Sequence, residues 1–103
     1  MNKTLLTLIM PDDVAQHVED LLLQHADLVH GFTSSSSRGH GASVPLLGAA
    51  ELVSGSSPRT RIQMVGPEAD MRAVVDLIKQ SLPRARIFFW LQAVIESGYL
   101  CND

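Results

Sequence analysis

A histidine between two glycines is the side chain of this sequence best suited to bind a ligand. His40 lies in the run Arg38-Gly39-His40-Gly41, where glycines leave the backbone free on both sides. Neutral imidazole is a common ligand of zinc, copper and nickel. In an oligomer, one histidine per chain could combine with its copies in a site that no single chain contains. A solvent-exposed histidine without a ligand is the alternative interpretation.

Glu51 and Cys101 carry the other two candidate metal-binding groups. The chain has a single cysteine, so an internal disulfide and a Cys-x-x-Cys motif are both excluded. A thiolate suits soft metals, whereas a carboxylate suits harder ions. The alternatives are a thiol without a role and an ion pair between Glu51 and Arg59 or Arg61 of a neighbouring chain. A divalent transition metal held by His40, Glu51 and Cys101 is therefore a hypothesis, and we expect no other cofactor.

Catalytic chemistry has little support in the sequence. No nucleophile, base and acid occur at a recognisable spacing. The sequence therefore predicts a binding protein and not an enzyme.

Composition restricts the partners and the location. The 103 residues suffice for one domain, and a formal charge of −3 provides no cationic field for nucleic acid. No apolar run approaches the roughly 20 residues of a membrane span. The short apolar stretch near the start is followed at once by Asp12 and Asp13, unlike a signal peptide. We therefore expect a cytoplasmic protein without membrane insertion.

The elements that position these residues follow from apolar spacing. Runs with apolar residues on both parities predict strands at Thr4–Met10 and Arg86–Val94. Further strands are predicted at Leu28–Ser37 and around Arg61–Val65. These four strands and two helices follow one another in the order β-α-β-β-α-β. The pattern predicts one α+β domain over residues 1–103, a ferredoxin-like four-stranded antiparallel sheet with two helices on one face.

The two predicted helices are bounded by residues that typically begin or end a helix. Asp12 or Asp13 is expected to cap the first helix, and Gln16 follows Asp13 as in a capping box. Proline and acidic residues open the second helix, and Pro83 ends it. Apolar residues recur at helical spacing along the second helix, at Met71, Val74, Val75, Ile78 and Leu82.

Two helices can cover only one face of such a sheet, which leaves the other face exposed. Phe88 and Trp90 have the opposite parity to Ile87, Phe89 and Leu91, so one set must point away from the helices. A second subunit on that face is the simplest account of the apolar patch, with Phe88 and Trp90 in the interface. The alternative is that residues 95–103 fold back over it.

The connection between the second and third strands is unusually long. Residues 34–58 hold eight of the ten serines, and fourteen of these 25 residues are Ser, Gly or Pro. Connections of this length are usually functional or disordered. We expect a mobile loop that binds a partner or effector, through residues that include Arg38, His40, Val44, Leu46, Leu47 and Glu51.

At this point the chain resembles the PII signalling family, and most closely the small PII-like proteins described as nitrogen regulators. The resemblance rests on Gly31-Phe32-Thr33, Gly39-His40-Gly41, Glu51-Leu52-Val53-Ser54-Gly55 and the strand with Arg59 and Arg61. It covers the whole chain in topology. It implies a homotrimer with the sheets turned inward and a target-binding T-loop at residues 34–58.

Two departures from the PII pattern limit what the resemblance implies. ATP-binding members resemble one another in a second loop rich in glycine and lysine, whereas Lys79 is the only lysine in the second half of this chain. The uridylylated T-loop tyrosine has no counterpart, because the only tyrosine is Tyr99. We therefore expect a regulatory trimer without ATP binding. The related CutA proteins, associated with divalent-metal tolerance, provide the alternative function.

Overall fold

The computed structural model describes residues 3–40 and 57–101. The described residues form two helices and four strands in the predicted order. The elements are β1 (Lys3–Pro11), α1 (Asp12–Leu23), β2 (Thr33–Gly39), β3 (Ser57–Pro67), α2 (Glu68–Ser81) and β4 (Phe88–Val94). The predicted ferredoxin-like α+β fold is confirmed.

The strands form one antiparallel sheet in the order β2-β3-β1-β4. β1 lies at the centre, where Leu6 is opposite both Met64 of β3 and Leu91 of β4. Among the described strands, β2 pairs with β3 alone, from Thr33 opposite Gln63 to Gly39 opposite Ser57. This register assigns every strand residue to one of two faces, because side chains alternate along a strand.

The core lies between the sheet and the two helices. Leu6, Leu8 and Met10 of β1 are buried on the helix face, each at most 2% exposed. They pack in one cluster with residues of β3 and both helices: Ile62, Met64, Ala15, Val18, Leu22, Met71, Val74 and Ile78. The apolar residues of β1 therefore divide between the two faces of the sheet: one set forms the core, and Leu5 and Ile9 lie on the opposite face.

The second strand begins later than the sequence predicts. Leu28 and Val29 donate their backbone N–H groups to the His25 carbonyl, at 3.0 and 2.9 Å, so the chain turns after α1. Val29 is buried by this turn and not by a strand. The prediction of a strand over Leu28–Phe32 was wrong, because apolar residues in a packed turn resemble a strand in sequence.

The predicted side-chain cap of α1 was also wrong. Pro11 occupies the N-cap position, and no side chain caps the helix. The Asp12 carboxylate instead accepts a hydrogen bond from the Thr60 hydroxyl at 2.9 Å. Gln16 donates to Asp20 at 2.9 Å and does not reach back to Asp13. The acidic residues thus lie in the first turn, where the helix dipole favours them, without capping.

The remaining boundaries differ by small amounts. Pro67 precedes α2 at its N-cap position, and Leu82 follows the helix directly before Pro83. β4 starts at Phe88, two residues after the predicted Arg86. β3 extends beyond the predicted Arg61–Val65 at both ends.

No helix in the described part of the chain is both long enough and apolar enough to cross a bilayer.

Candidate functional site

The sheet face opposite the helices carries an apolar half on β1 and β4. Phe88 and Trp90 point to this face, opposite Ile9 and Thr7 respectively. Phe88 is 67% exposed and Trp90 is 37% exposed. Their rings lie 5.9 Å apart at 55°, a tilted arrangement typical of favourable aromatic pairs. Both predicted interface residues therefore lie together on the face opposite the two described helices.

A row of polar side chains at the centre of this face is satisfied internally. Gln63 donates its amide N–H to the Thr7 hydroxyl at 3.1 Å, across β3 and β1. The Trp90 indole N–H donates to the Gln92 side-chain oxygen at 2.7 Å. Thr7 is fully buried although it lies on the face opposite α1 and α2. The first bond links β3 to β1, and the second links two side chains of β4 on the aromatic half of the face.

The other half of the face, on β2 and β3, is polar and cationic. Ser35 lies opposite Arg61, and Ser37 lies opposite Arg59. Arg61 and Ser35 are exposed, whereas Arg59 is only 6% exposed. Hydroxyl donors of β2 therefore lie opposite guanidinium donors of β3.

β2 and β3 also form the paired stem of the long connection. Gly39 lies opposite Ser57, so the chain leaves and re-enters the sheet at adjacent positions, with residues 40–56 between them. Residues 34–39 and 57–58 of the predicted loop thus belong to strands. Of the predicted loop residues, Arg38 and His40 are exposed at the end of this stem. The predicted contacts of Val44, Leu46, Leu47 and Glu51, and the expected mobility of 41–56, lie outside the described residues.

The predicted metal ligands are not assembled by the described part of the chain. His40 and Cys101 are both exposed, and Cys101 is a free thiol. Within residues 3–40 and 57–101, no three His, Cys, Asp or Glu side chains form a metal-binding group. Glu51 lies outside these ranges, so the three-residue site stays a prediction.

The C-terminal segment does not cover the open sheet face. Ile95, Tyr99 and Leu100 are each at least 95% exposed. The alternative in which the tail shields this face was therefore wrong for residues 95–101, and Phe88 and Trp90 stay accessible in a single chain.

A cavity of about 510 Å³ between α2 and β4 was missed at the sequence level. Leu8, Ile78, Phe89 and Leu91 contribute apolar walls, and Lys79 also lines the cavity. The available signal was the helix-facing parity of Phe89 and Leu91 on an edge strand, because two helices leave part of a four-stranded sheet less covered.

Solved structures show how widely this fold occurs. A crystal structure of a DUF3240 family protein from Shewanella baltica OS155 has a TM-score of 0.79 and 17% identity, covering 98% of this chain and 99% of that one. CPII, a nitrogen regulatory PII-like protein from Thiomonas intermedia K12 bound to ADP, AMP and bicarbonate, has a TM-score of 0.69 and 14% identity, covering 96% and 98%. A Bacillus cereus protein related to NIF3 has a TM-score of 0.67 and 16% identity, covering 95% of this chain and 26% of that one.

These identities support a shared fold, and the predicted resemblance to PII-like proteins is confirmed at that level. No protein with a curated description matches the chain in sequence. The family model described as "Protein of unknown function (DUF3240)" matches residues 1–101. Since this match spans nearly all of the 103 residues, the chain belongs to the DUF3240 family.

Proposed function

We propose that this protein is a PII-like regulatory protein that assembles as a homotrimer and binds a target protein or small effector through residues 40–56. Its role is binding and not catalysis, and it acts without ATP. The likeness in fold to a nitrogen regulatory PII-like protein supports this class of function. The fold also occurs within a longer protein related to NIF3, so fold alone does not determine the activity.

The observation that carries the assembly is the exposed aromatic pair on the open sheet face. Phe88 and Trp90 are neighbours on one face of the edge strand β4, and Ile9 of β1 lies opposite Phe88. Burial of a large apolar side chain contributes about 1.5–3 kcal/mol, which favours a subunit contact here. A closed ring of three chains buries the patch of every subunit and leaves none exposed.

The β2–β3 stem supports the binding role of the connection. Seven residues of β2 pair with β3 up to Gly39 and Ser57, and seventeen residues lie between these two positions. A paired stem of this kind holds both ends of the connection at one place on the sheet. A long segment on a rigid scaffold is a common location for binding residues.

A divalent-metal-binding protein of the CutA type is the second candidate function. It requires His40, Glu51 and Cys101, of which His40 and Cys101 are exposed to solvent. Replacing His40 with alanine should abolish binding of Zn²⁺, Cu²⁺ or Ni²⁺, measured by calorimetry, while a bound protein target is retained. His30→Ala is the matched control, because His30 is exposed outside the connection. Metal binding that survives His40→Ala contradicts the metal site.

Sedimentation velocity at micromolar concentration tests the proposed assembly. The wild-type chain should sediment at about 34 kDa, three times its 11.2 kDa mass. Phe88→Asp should yield monomers, because a buried unpaired charge costs several kcal/mol. Leu23→Asp is the matched control: Leu23 is 70% exposed, close to the 67% of Phe88, but it lies at the end of α1.

The two variants together decide the interface. A monomeric wild-type protein contradicts the trimer. A trimer that persists in a folded Phe88→Asp protein, with folding checked by circular dichroism, contradicts this face as the contact. Dissociation by Leu23→Asp to the same extent would place the contact on the helices.

A further inference from the structure

The charges of this protein are separated between the sheet and the helices. The four strands contain four basic residues, Lys3, Arg38, Arg59 and Arg61, and no acidic residue. α1 contains four acidic residues and no lysine or arginine, and α2 contains three acidic and two basic residues. A chain with a net charge of −3 therefore has a sheet that is locally positive.

On the β2–β3 half of the open face, hydrogen-bond donors are concentrated around Arg61. Arg61 lies opposite Ser35 on β2 and opposite Ile9 on β1. Directly opposed residues have Cβ atoms about 4.5–5.5 Å apart, so one ligand can contact both Arg61 and Ser35. Ser37 is the next residue of β2 on the same face. The site thus combines a planar guanidinium with two hydroxyl groups.

These donors are not used by the rest of the described chain. Among the described residues, an ion pair joins Arg72 to Glu68 on α2, at 2.8 Å, far from the sheet residues Arg61 and Ser35 in sequence. Arg61 and the Ser35 hydroxyl have no side-chain hydrogen-bond partner within residues 3–40 and 57–101. The neighbouring Gln63 is already engaged, because its amide donates to Thr7. A ligand here must therefore bring acceptors and negative charge.

We propose that Arg61, with Ser35 and Ser37, forms a binding site for a small oxyanion, a phosphate or carboxylate group, on the β2–β3 half of the open sheet face. A guanidinium binds such groups through two parallel N–H···O bonds, and serine hydroxyls donate to the remaining oxygens. The site needs no residue of the connection. It lies beside the aromatic half of the face, with Ile9 of β1 between Arg61 and Phe88.

Titration with inorganic phosphate, followed by NMR of the ¹⁵N-labelled full chain, tests the proposal. Sodium chloride of equal ionic strength is the reference, since it separates binding from screening. The amide signals of Ser35, Ser37 and Arg61 should shift saturably with phosphate. A parallel titration with acetate distinguishes a carboxylate source of the oxyanion from a phosphate source.

Three variants define the site. Arg61→Gln should weaken binding about tenfold or more, because it removes a charge-assisted pair of hydrogen bonds. Ser35→Ala should weaken binding by a smaller factor and leaves the charge unchanged. Arg84→Gln is the matched control, because Arg84 is an exposed arginine outside the sheet and its loss changes the net charge equally.

The outcomes are distinct. Saturable binding of either anion that Arg61→Gln weakens and Arg84→Gln retains supports the site. No saturable shift with either anion, or equal responses in the two arginine variants, overturns it. Sedimentation of the same samples reports the trimer separately, so failure of the anion site and failure of the proposed assembly are distinguishable.

Discussion

At the scale of single residues, two leucines of β1 have different roles. Leu8 is 2% exposed and lies on the helix face with Ile62 and Phe89 opposite. Leu5 is half-buried on the open face. Sequence alone showed that both parities of β1 are apolar, but the number of helices and the strand register determine which parity is the core.

Truncating each leucine to alanine should separate folding from association. Leu8→Ala should lower the free energy of unfolding by about 2–5 kcal/mol at every protein concentration, because it leaves a cavity in the core. Leu5→Ala should act mainly through the trimer, so its effect on Tm should depend on protein concentration. Thermal unfolding at two concentrations measures both. A larger effect of Leu5→Ala at low concentration would contradict this assignment of the faces.

Asp12 provides a second residue-scale test, because its carboxylate bonds to Thr60 and not to the start of α1. Asp12→Ala and Thr60→Val should each destabilise the protein by about 0.5–1.5 kcal/mol, the usual net value of one hydrogen bond. The double variant should cost less than the sum, since both changes remove the same bond. Urea unfolding of the four proteins measures the coupling. Strict additivity would show that Asp12 acts independently of Thr60.

At the scale of elements, the β2–β3 pair decides how the long connection is presented. The pair ends at Gly39 and Ser57, so a deletion that includes Gly39 would remove part of the sheet. Deleting residues 41–52 leaves the whole stem and a five-residue link, a length common in antiparallel hairpins. The stem and the connection can therefore be tested apart.

The deletion of 41–52 should leave a folded trimer with nearly unchanged stability. Closing a shorter loop costs slightly less entropy, and no described core residue is removed. The same deletion should abolish binding to the target or effector, since it removes Val44, Leu46, Leu47 and Glu51. Circular dichroism and sedimentation measure folding and assembly. An unfolded product would show that the segment is part of the core.

At the scale of the whole molecule, the separation of charge sets which ligands are favoured. A sheet without acidic residues attracts anions, whereas α1 with four carboxylates repels them. Anion binding alone does not make a nucleotide site, which also needs contacts to the base and to successive phosphates. Between residues 57 and 101 the sequence contains one lysine, Lys79, and two glycines, Gly66 and Gly98, so a phosphate loop rich in glycine and lysine is not expected there.

Millimolar ATP should therefore shift Tm no more than inorganic phosphate does when it is added at the same total charge. A ligand at a hundredfold excess over Kd would add about 2.7 kcal/mol of stability, which thermal unfolding detects readily. ADP and AMP serve as parallel arms, because the similar structure from Thiomonas intermedia holds both. A saturable rise in Tm with any of the three, and none with phosphate, would contradict a function without nucleotides.

The order and type of the elements were determined by the sequence itself, because each depends on residues close together in the chain. Apolar repeats in α2, double parity in β1 and β4, and the prolines between elements are all read within short windows. The same local pattern placed Phe88 and Trp90 on one face. Prediction from local sequence failed at Leu28–Phe32. The apolar side chains there indicate burial, but local sequence does not show whether a strand or a packed turn buries them.

The tertiary structure alone decided which distant residues meet. The bond between Asp12 and Thr60 joins positions 48 residues apart, and the pairing of Ser35 with Arg61 depends on the β2–β3 register. The cavity between α2 and β4 likewise exists only once the helix packs on the sheet. Register and packing come from the whole set of non-local contacts. The local sequence therefore shows the donor residues of the proposed oxyanion site, but it does not show that they lie side by side.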